Sequence, residues 1–225
     1  MCGRFTLRAA PAELGRYFGL EVPFPLRPRY NIAPSQQVLV LRLGPDGNRQ
    51  WAKLRWGLVP HWAEDPTALR VRLINARAET VHVKPAFRAA FRYRRCLVAA
   101  DGFYEWKVSD SRHGKEPYFF RRPDERPFAI AGLWEHWQGA DGTELETCTL
   151  ITTEANTTVE QVHQRMPVIL PPEVWEQWLT APPEHAGQLR NLLVPCPDRW
   201  LVAHAVSTVV NHPGHDGPEC VWPAC

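Results

Sequence analysis

Proline sets the tightest limit on what this chain can fold into. It occupies 22 of 225 positions, about twice the average usage of ~5%, and it is dispersed along the chain. Proline has no N–H and a fixed φ, so it ends helices and central strands. Dispersed proline therefore predicts many short elements joined by fixed turns. Eight runs read as strands: residues 2–7, 37–43, 50–56, 95–100, 102–106, 117–121, 128–134 and 146–152. Each is short, rich in β-branched or aromatic residues, and bounded by Gly, Pro, Asp or Asn. Arg121-Arg122-Pro123-Asp124 predicts a hairpin-like turn, and Gly139-Ala140-Asp141-Gly142 predicts another. Helices are predicted over 11–18 and 172–179, each with proline in its first turn. Shorter ones are predicted over 85–91, 156–162 and 184–193. Strands do not alternate regularly with helices, which argues against a doubly wound parallel sheet. The expected fold class is α+β: a single domain over residues 1–225 with curved, mostly antiparallel, barrel-like β-sheets flanked by short helices.

Composition narrows the function classes. With 44% hydrophobic and 22% charged residues, the chain is neither disordered nor fibrous. No stretch approaches the ~20 consecutive apolar residues of a membrane helix. The first residues contain no apolar run of signal-peptide type, so a cytoplasmic protein without a membrane partner is expected. The net charge of +2 hides an asymmetry. Residues 1–126 hold 23 basic and 12 acidic residues, a net of +11, whereas residues 127–225 hold 3 and 12, a net of −9. Of the basic residues, 22 are arginine and 4 lysine. Arginine's planar fork suits bidentate phosphate contacts, so the first half is a candidate polyanion face. The alternative is that the two halves interleave and neutralise each other. The six cysteines, Cys2, Cys96, Cys148, Cys196, Cys220 and Cys225, include no C-x-x-C pair, so neither a metal site nor a disulfide framework is expected. Cys96 and Cys148 lie in apolar runs and read as buried small hydrophobes.

Cys2 differs because of its position. Initiator methionine is normally removed before a small residue, which would leave cysteine with a free α-amine beside its thiol. An α-amine has a reference pKa of about 7.7–8.0 and a thiol about 8.5, so both are usable near neutrality. Together they form a 1,2-aminothiol: the amine condenses with an aldehyde to a Schiff base, and the thiol closes a thiazolidine ring. The alternative is a chance cysteine in a frayed terminus. Gly3 removes bulk beside it, Arg4 adds an anion contact, and Phe5 and Leu7 alternate with polar neighbours as a sheet strand would. Other segments carry candidate groups. Asn75, Arg77 and Glu79 sit within Leu73-Ile74-Asn75-Ala76-Arg77-Ala78-Glu79-Thr80. Glu105 lies within the aromatic run Phe103-Tyr104-Glu105-Trp106, where desolvation would raise its pKa toward that of a general acid. The alternative for Glu105 is a rim salt bridge. His163 and Arg165 follow a short helix, and a lone histidine is often structural. The run Trp56 to Trp62 predicts a tight aromatic loop. An indole there can stack on a nucleobase, worth about 1–3 kcal/mol, although core packing is the alternative for most of the ten tryptophans.

In order along the chain, Cys2-Gly3-Arg4-Phe5, Arg29-Tyr30-Asn31-Ile32-Ala33-Pro34, Trp56 to Trp62, Asn75-Ala76-Arg77-Ala78-Glu79-Thr80, Gly102 to Trp106, Phe128 to Trp134, His163-Gln164-Arg165-Met166-Pro167 and Val206-Ser207-Thr208 with Asn211 resemble the SOS-response-associated peptidase (SRAP) family. Ala99 departs from the family's usual proline, and His212 and His215 look local to this chain. The resemblance implies a protein that senses abasic sites in single-stranded DNA and crosslinks to the open sugar aldehyde through Cys2 after loss of Met1. It implies catalytic roles for Cys2, Asn75, Glu105 and His163. Asn75 would hold the sugar, and Glu105 and His163 would move protons. Arg4, Arg77 and Arg165 would hold phosphates, and Pro34, Trp62, Trp106 and Thr152 would shape the nucleotide channel. No cofactor is implied. The expected partner is abasic single-stranded DNA, the expected state a monomer, and the expected location the cytoplasm, on the nucleoid when DNA is bound. Two alternatives stay open. One is a cysteine peptidase, at the least removing its own Met1, with Asn75 in an oxyanion role and His163 or Glu105 as base. The other is a non-covalent single-strand binding module.

Overall fold

The computed structural model describes residues 2–66, 73–108 and 114–224. Met1, whose removal the resemblance implies, and Cys225 lie outside the described residues. In chain order the strands are β1 Arg4–Leu7, β2 Arg29–Ile32, β3 Gln37–Leu43, β4 Arg49–Trp56, β5 Asn75–Arg77 and β6 Arg95–Ala100. They continue with β7 Gly102–Val108, β8 Lys115–Arg121, β9 Phe128–Gln138, β10 Glu144–Glu154, β11 Arg165–Pro167, β12 Ile169–Leu170 and β13 Val202–Ala205. The helices are α1 Pro11–Phe18, α2 Arg88–Tyr93, α3 Thr157–Glu160 and α4 Trp175–Thr180.

Five strands close a barrel. β3 pairs antiparallel with β4 and β6, β6 with β9, and β9 with β10. The ring shuts on a parallel seam, with Thr147 opposite Arg55 and Cys148 opposite Trp56. β5 prolongs that seam, placing Asn75 opposite Leu150 and Arg77 opposite Thr152. The second sheet, β13-β8-β7-β1-β2, is antiparallel throughout. The expected α+β class with mostly antiparallel, barrel-like sheets is what forms, and β10 with β4 and β5 supplies the parallel exception. Barrel closure removes sheet edges, but it crowds the interior. At Gly132 a Cβ would stand 2.9 Å from Cys96 Sγ and 2.9 Å from Val98 Cγ2, so only glycine fits there. Phe5 of the second sheet packs edge-on to Trp56 of the barrel, with ring centroids 5.1 Å apart, so one core serves both sheets.

The turn at residues 121–124 is no hairpin. β8 and β9 belong to different sheets, and the turn carries the chain between them. Gly139 to Gly142 does close a hairpin, with Gln138 opposite Glu144. The predicted helix over 172–179 opens as a 3-10 turn at Pro172–Val174 before α4 begins, and Pro183–Leu192 is 3-10 throughout. Charge segregation along the sequence is partly undone in space. Arg42 pairs with Glu146, Arg94 with Glu135, Arg165 with Glu79 and Arg29 with Asp216, and three of those acids come from the acidic half. Arg95 is buried and donates to Phe91 O at 2.9 Å and Trp178 O at 2.5 Å, where it ties the ends of α2 and α4 to β6.

Asp101 forms the corner between β6 and β7, where the chain leaves the barrel for the second sheet. It is 2% exposed. Its carboxylate accepts from Thr6 Oγ1 at 2.5 Å, Ala9 N at 2.9 Å, Arg8 Nε at 3.1 Å and the Arg8 backbone N–H. Its own N–H donates to Thr6 O at 3.0 Å. Asn at this position would turn N–H donors toward N–H donors. Asp101→Asn is therefore expected to lower unfolding free energy by about 3 kcal/mol, read from denaturant midpoints. A loss under about 0.5 kcal/mol, the scale of a neutral surface change, would contradict this role.

Candidate active site

The N-terminal segment is held inside the protein. β1 pairs with β7, Arg4 opposite Tyr104 and Phe5 opposite Phe103, and with β2 on its other edge, Phe5 opposite Ile32. Cys2 precedes this strand and is fully buried. Its carbonyl accepts from Asn75 Nδ2 at 2.8 Å, and its thiol faces Arg4 O at 3.8 Å. Burial pushes the thiol pKa well up, and the charge of Glu105 adds to the effect. A thiolate is thus disfavoured in the resting site.

Glu105 follows Tyr104 on β7 and points inward, 2% exposed. Burial raises its pKa from 4.5 to about 7, so the carboxyl exchanges protons near neutrality. His163 comes from the turn after α3, and its Nε2 lies 3.9 Å from Glu105 Oε2. His163 Nδ1 lies 3.0 Å from the Arg165 backbone nitrogen and 3.2 Å from the Arg165 backbone oxygen, so the backbone of Arg165 fixes the orientation of the ring. Burial lowers the His163 pKa, so the neutral ring is favoured. The 3.9 Å separation exceeds a direct hydrogen bond.

These residues open on a cavity of about 520 Å³, lined by Gly3, Arg4, Pro34, Glu105, Trp106 and His163. Arg4 Nη1 donates to Val210 O at 2.9 Å, and its guanidinium lies 6.0 Å from the Trp106 ring centre. Trp106 Nε1 donates to Asn211 Oδ1 at 2.7 Å. Lys115 and Asn211 complete the lining. Neither was singled out from sequence as a site residue. Lys115 gave no signal beyond its charge, and Asn211 only its place in the motif order. A cavity of similar size, about 510 Å³, lies beside Leu26, Arg27 and Lys53, but its lining includes no carboxylate or imidazole among the described residues.

The other proposed residues, Cys2 among them, are not in the lining of this cavity. Asn75 Oδ1 and Thr152 Oγ1 are buried and find no hydrogen-bond partner among the described residues. Arg77 is exposed on β5. Arg165 is engaged by Glu79. Trp62 stands 56% exposed on a loop that is itself anchored: Val59 N donates to Thr147 Oγ1 at 2.9 Å and Trp137 Nε1 to Ala63 O at 2.6 Å. Trp56, by contrast, is core, with Nε1 on Ile74 O at 2.8 Å.

The raised pKa of Glu105 has a consequence for stability. The folded protein holds a proton that the unfolded chain releases above about pH 4.5. Stability contributed at this site is therefore greatest below that value. It is lost progressively up to about pH 7 and changes no further above it. Glu105→Gln removes the dependence. The variant is expected to gain stability over wild type as pH rises from 5 to 8, measured as the difference in urea midpoints. A difference that stays constant across that range would place Glu105 in a solvated setting.

The profile of the family described as SOS response associated peptidase (SRAP) matches residues 1–213. The Bacillus subtilis abasic site processing protein YoaM is 41% identical over 222 residues, covering 97% of this chain and 96% of that protein. The Gallus gallus abasic site processing protein HMCES is 34% identical over 227 residues, covering 88% of this chain and 66% of that protein. A solved Bacteroides thetaiotaomicron protein superposes with a TM-score of 0.87 over 100% of both chains at 26% identity. A Bordetella bronchiseptica structure gives 0.78 at 30% identity, over 92% of this chain and 100% of that one. With a profile match that spans nearly the whole chain and relatives above 30% identity along most of it, this protein belongs to the SRAP family.

Proposed function

We propose that this protein processes abasic sites in single-stranded DNA by capturing the open-chain sugar aldehyde on Cys2 as a thiazolidine, which shields the lesion. One observation carries the reading: Cys2 is buried within reach of the charge of Glu105, whose carboxyl and the His163 imidazole line one cavity. Loss of Met1 frees the α-amine. The amine attacks C1′ of the aldehyde and gives a carbinolamine. Glu105 or His163 protonates its hydroxyl, water leaves, and an imine forms. The thiol then adds to the imine carbon and its proton passes to nitrogen. The net change is one C–N and one C–S bond made and one water released.

Burial favours this order. A thiol kept protonated is a poor first nucleophile, whereas it closes a ring readily on an imine already held beside it. The same point weighs against a thiolate peptidase acting on other proteins. Hydrolysis of the Met1–Cys2 bond by the same site is the peptidase step this reading retains. An imine that fails to close would promote strand cleavage by β-elimination, the lyase step. Asn75 fixes Cys2 from one side through Nδ2 and offers Oδ1 to the sugar. Arg4, Arg77 and Arg165 take phosphates, Trp62 stacks on a base, and Pro34, Trp106 and Thr152 shape the channel. In this reading the protein works as a monomer in the cytoplasm and joins the nucleoid through the DNA it holds.

The test separates nitrogen from sulfur. Cys2→Ala keeps the amine and loses the thiol. It is expected to give no heat-stable adduct with an abasic oligonucleotide, only one that borohydride traps. A short uncleaved extension before Cys2 keeps the thiol and turns the amine into an amide. With affinity for intact strand confirmed, that protein is expected to give neither product on a denaturing gel. A heat-stable crosslink from the extended protein would overturn the thiazolidine mechanism.

A further inference from the structure

The rim beside His163 carries an ion pair that the proposed chemistry does not use. Arg165 Nη1 and Nη2 donate to the two oxygens of Glu79 at 2.6 and 3.0 Å. Nη2 also donates to the backbone oxygen of Thr152 at 2.7 Å. The Arg165 side chain is 19% exposed and that of Glu79 51%. The guanidinium is thus fixed against β10, while its carboxylate partner faces solvent. Arg77 is exposed two residues before Glu79, and its charge acts on the same carboxylate. One anion therefore answers two of the arginines assigned to phosphates.

A guanidinium takes a carboxylate and a phosphate in the same planar fork. The two oxygens of Glu79 sit where two non-bridging oxygens of a phosphodiester would bind, and both anions cannot hold that edge at once. The bond to Thr152 O comes from backbone, so Arg165 keeps its place when Glu79 leaves. We infer that Glu79 is a specificity-determining residue: in the free protein its carboxylate fills the phosphate seat of Arg165, and an incoming strand must displace it. This rests on the reading of Arg165 as a phosphate contact. The displacement weakens hold on every strand, intact or abasic, and leaves the covalent step untouched. Retention of a strand then depends on its aldehyde more than on its backbone. The pair is breakable because it is partly exposed. Exposed ion pairs shift equilibria by up to about fivefold.

The test uses Glu79→Gln, which keeps shape and removes charge. Anisotropy reads affinity for an intact single strand. Crosslinking of an abasic strand reads the half-saturating concentration and the rate at saturation. E79Q is expected to bind intact strand about three- to fivefold tighter and to lower half-saturation to the same degree, with the saturated rate unchanged. The gain should vanish in the Arg165→Gln background. It should also be absent in Glu154→Gln, which removes an exposed charge at the strand position opposite Arg165. Affinity of E79Q at or below wild type would overturn the inference and make Glu79 a positioner of Arg165. A gain that persists without Arg165, or that E154Q matches, would overturn it as bulk charge. If Arg165→Gln alone leaves affinity unchanged, the phosphate reading of Arg165 itself fails, a result distinct from the other two.

Discussion

Backbone hydrogen bonds on both edges of β1 hold the N-terminus inside the protein, and the site depends on them. A chain end is ordinarily the least ordered part of a domain. Here β1 is an interior strand, laddered to β7 on one side and β2 on the other. The pairing brings Cys2 and Glu105 to the same end of the sheet, although more than one hundred positions separate them in sequence. Asp101 locks the arrangement, because its corner takes hydrogen bonds from the residues that end β1 and follow it. The Asn75 amide then grips the Cys2 carbonyl from the barrel side. Cys2 is thus positioned from both sheets at once.

Burial sets the chemistry as well as the geometry. The apolar surroundings that keep Cys2 a thiol also bring Glu105 into the neutral range and keep His163 uncharged. The largest cause of each shift is desolvation of the charged form, and the shifts suit condensation at an amine better than attack by a thiolate. Outside the cavity, solvent returns and charge pairing takes over. Part of the arginine excess of the first half is engaged by acids of the second, through Arg42, Arg94 and Arg29, or by helix-end carbonyls, through Arg95. The cationic face is therefore narrower than the sequence count implies. Half-buried Arg4 and Lys115 line the cavity, Arg77 is exposed on β5, and Arg165 stands behind a carboxylate.

The barrel strands were legible because they are long enough to show β-branched content and bounding turns. Residues 37–43 and 95–100 form strands over the predicted bounds, and 11–18 forms the predicted helix. β2, β5, β11, β12 and β13 run two to four residues. Such segments carry too little pattern to be read locally and become strands only because a neighbour's edge is waiting. The turn at 121–124 misled for the same reason: its residues specify a turn, whereas the sheet that each flanking strand joins is a long-range choice. Within the site, the aromatic neighbours of Glu105 announced its burial. The engagement of Arg165 by Glu79 joins residues 86 positions apart, and no local pattern encodes it. Lys115 and Asn211 reach the cavity through the pairing of β8 with β7 and the bond from Trp106.

In the proposed adduct the nitrogen and sulfur of one residue end on one carbon. The most direct measurement is 13C NMR of the adduct formed with an oligonucleotide labelled at C1′ of a single abasic site. A saturated carbon bonded to both the Cys2 nitrogen and the Cys2 sulfur is expected, with borohydride leaving it unchanged. A carbon bonded to sulfur and oxygen, or an imine carbon that borohydride reduces, would contradict it.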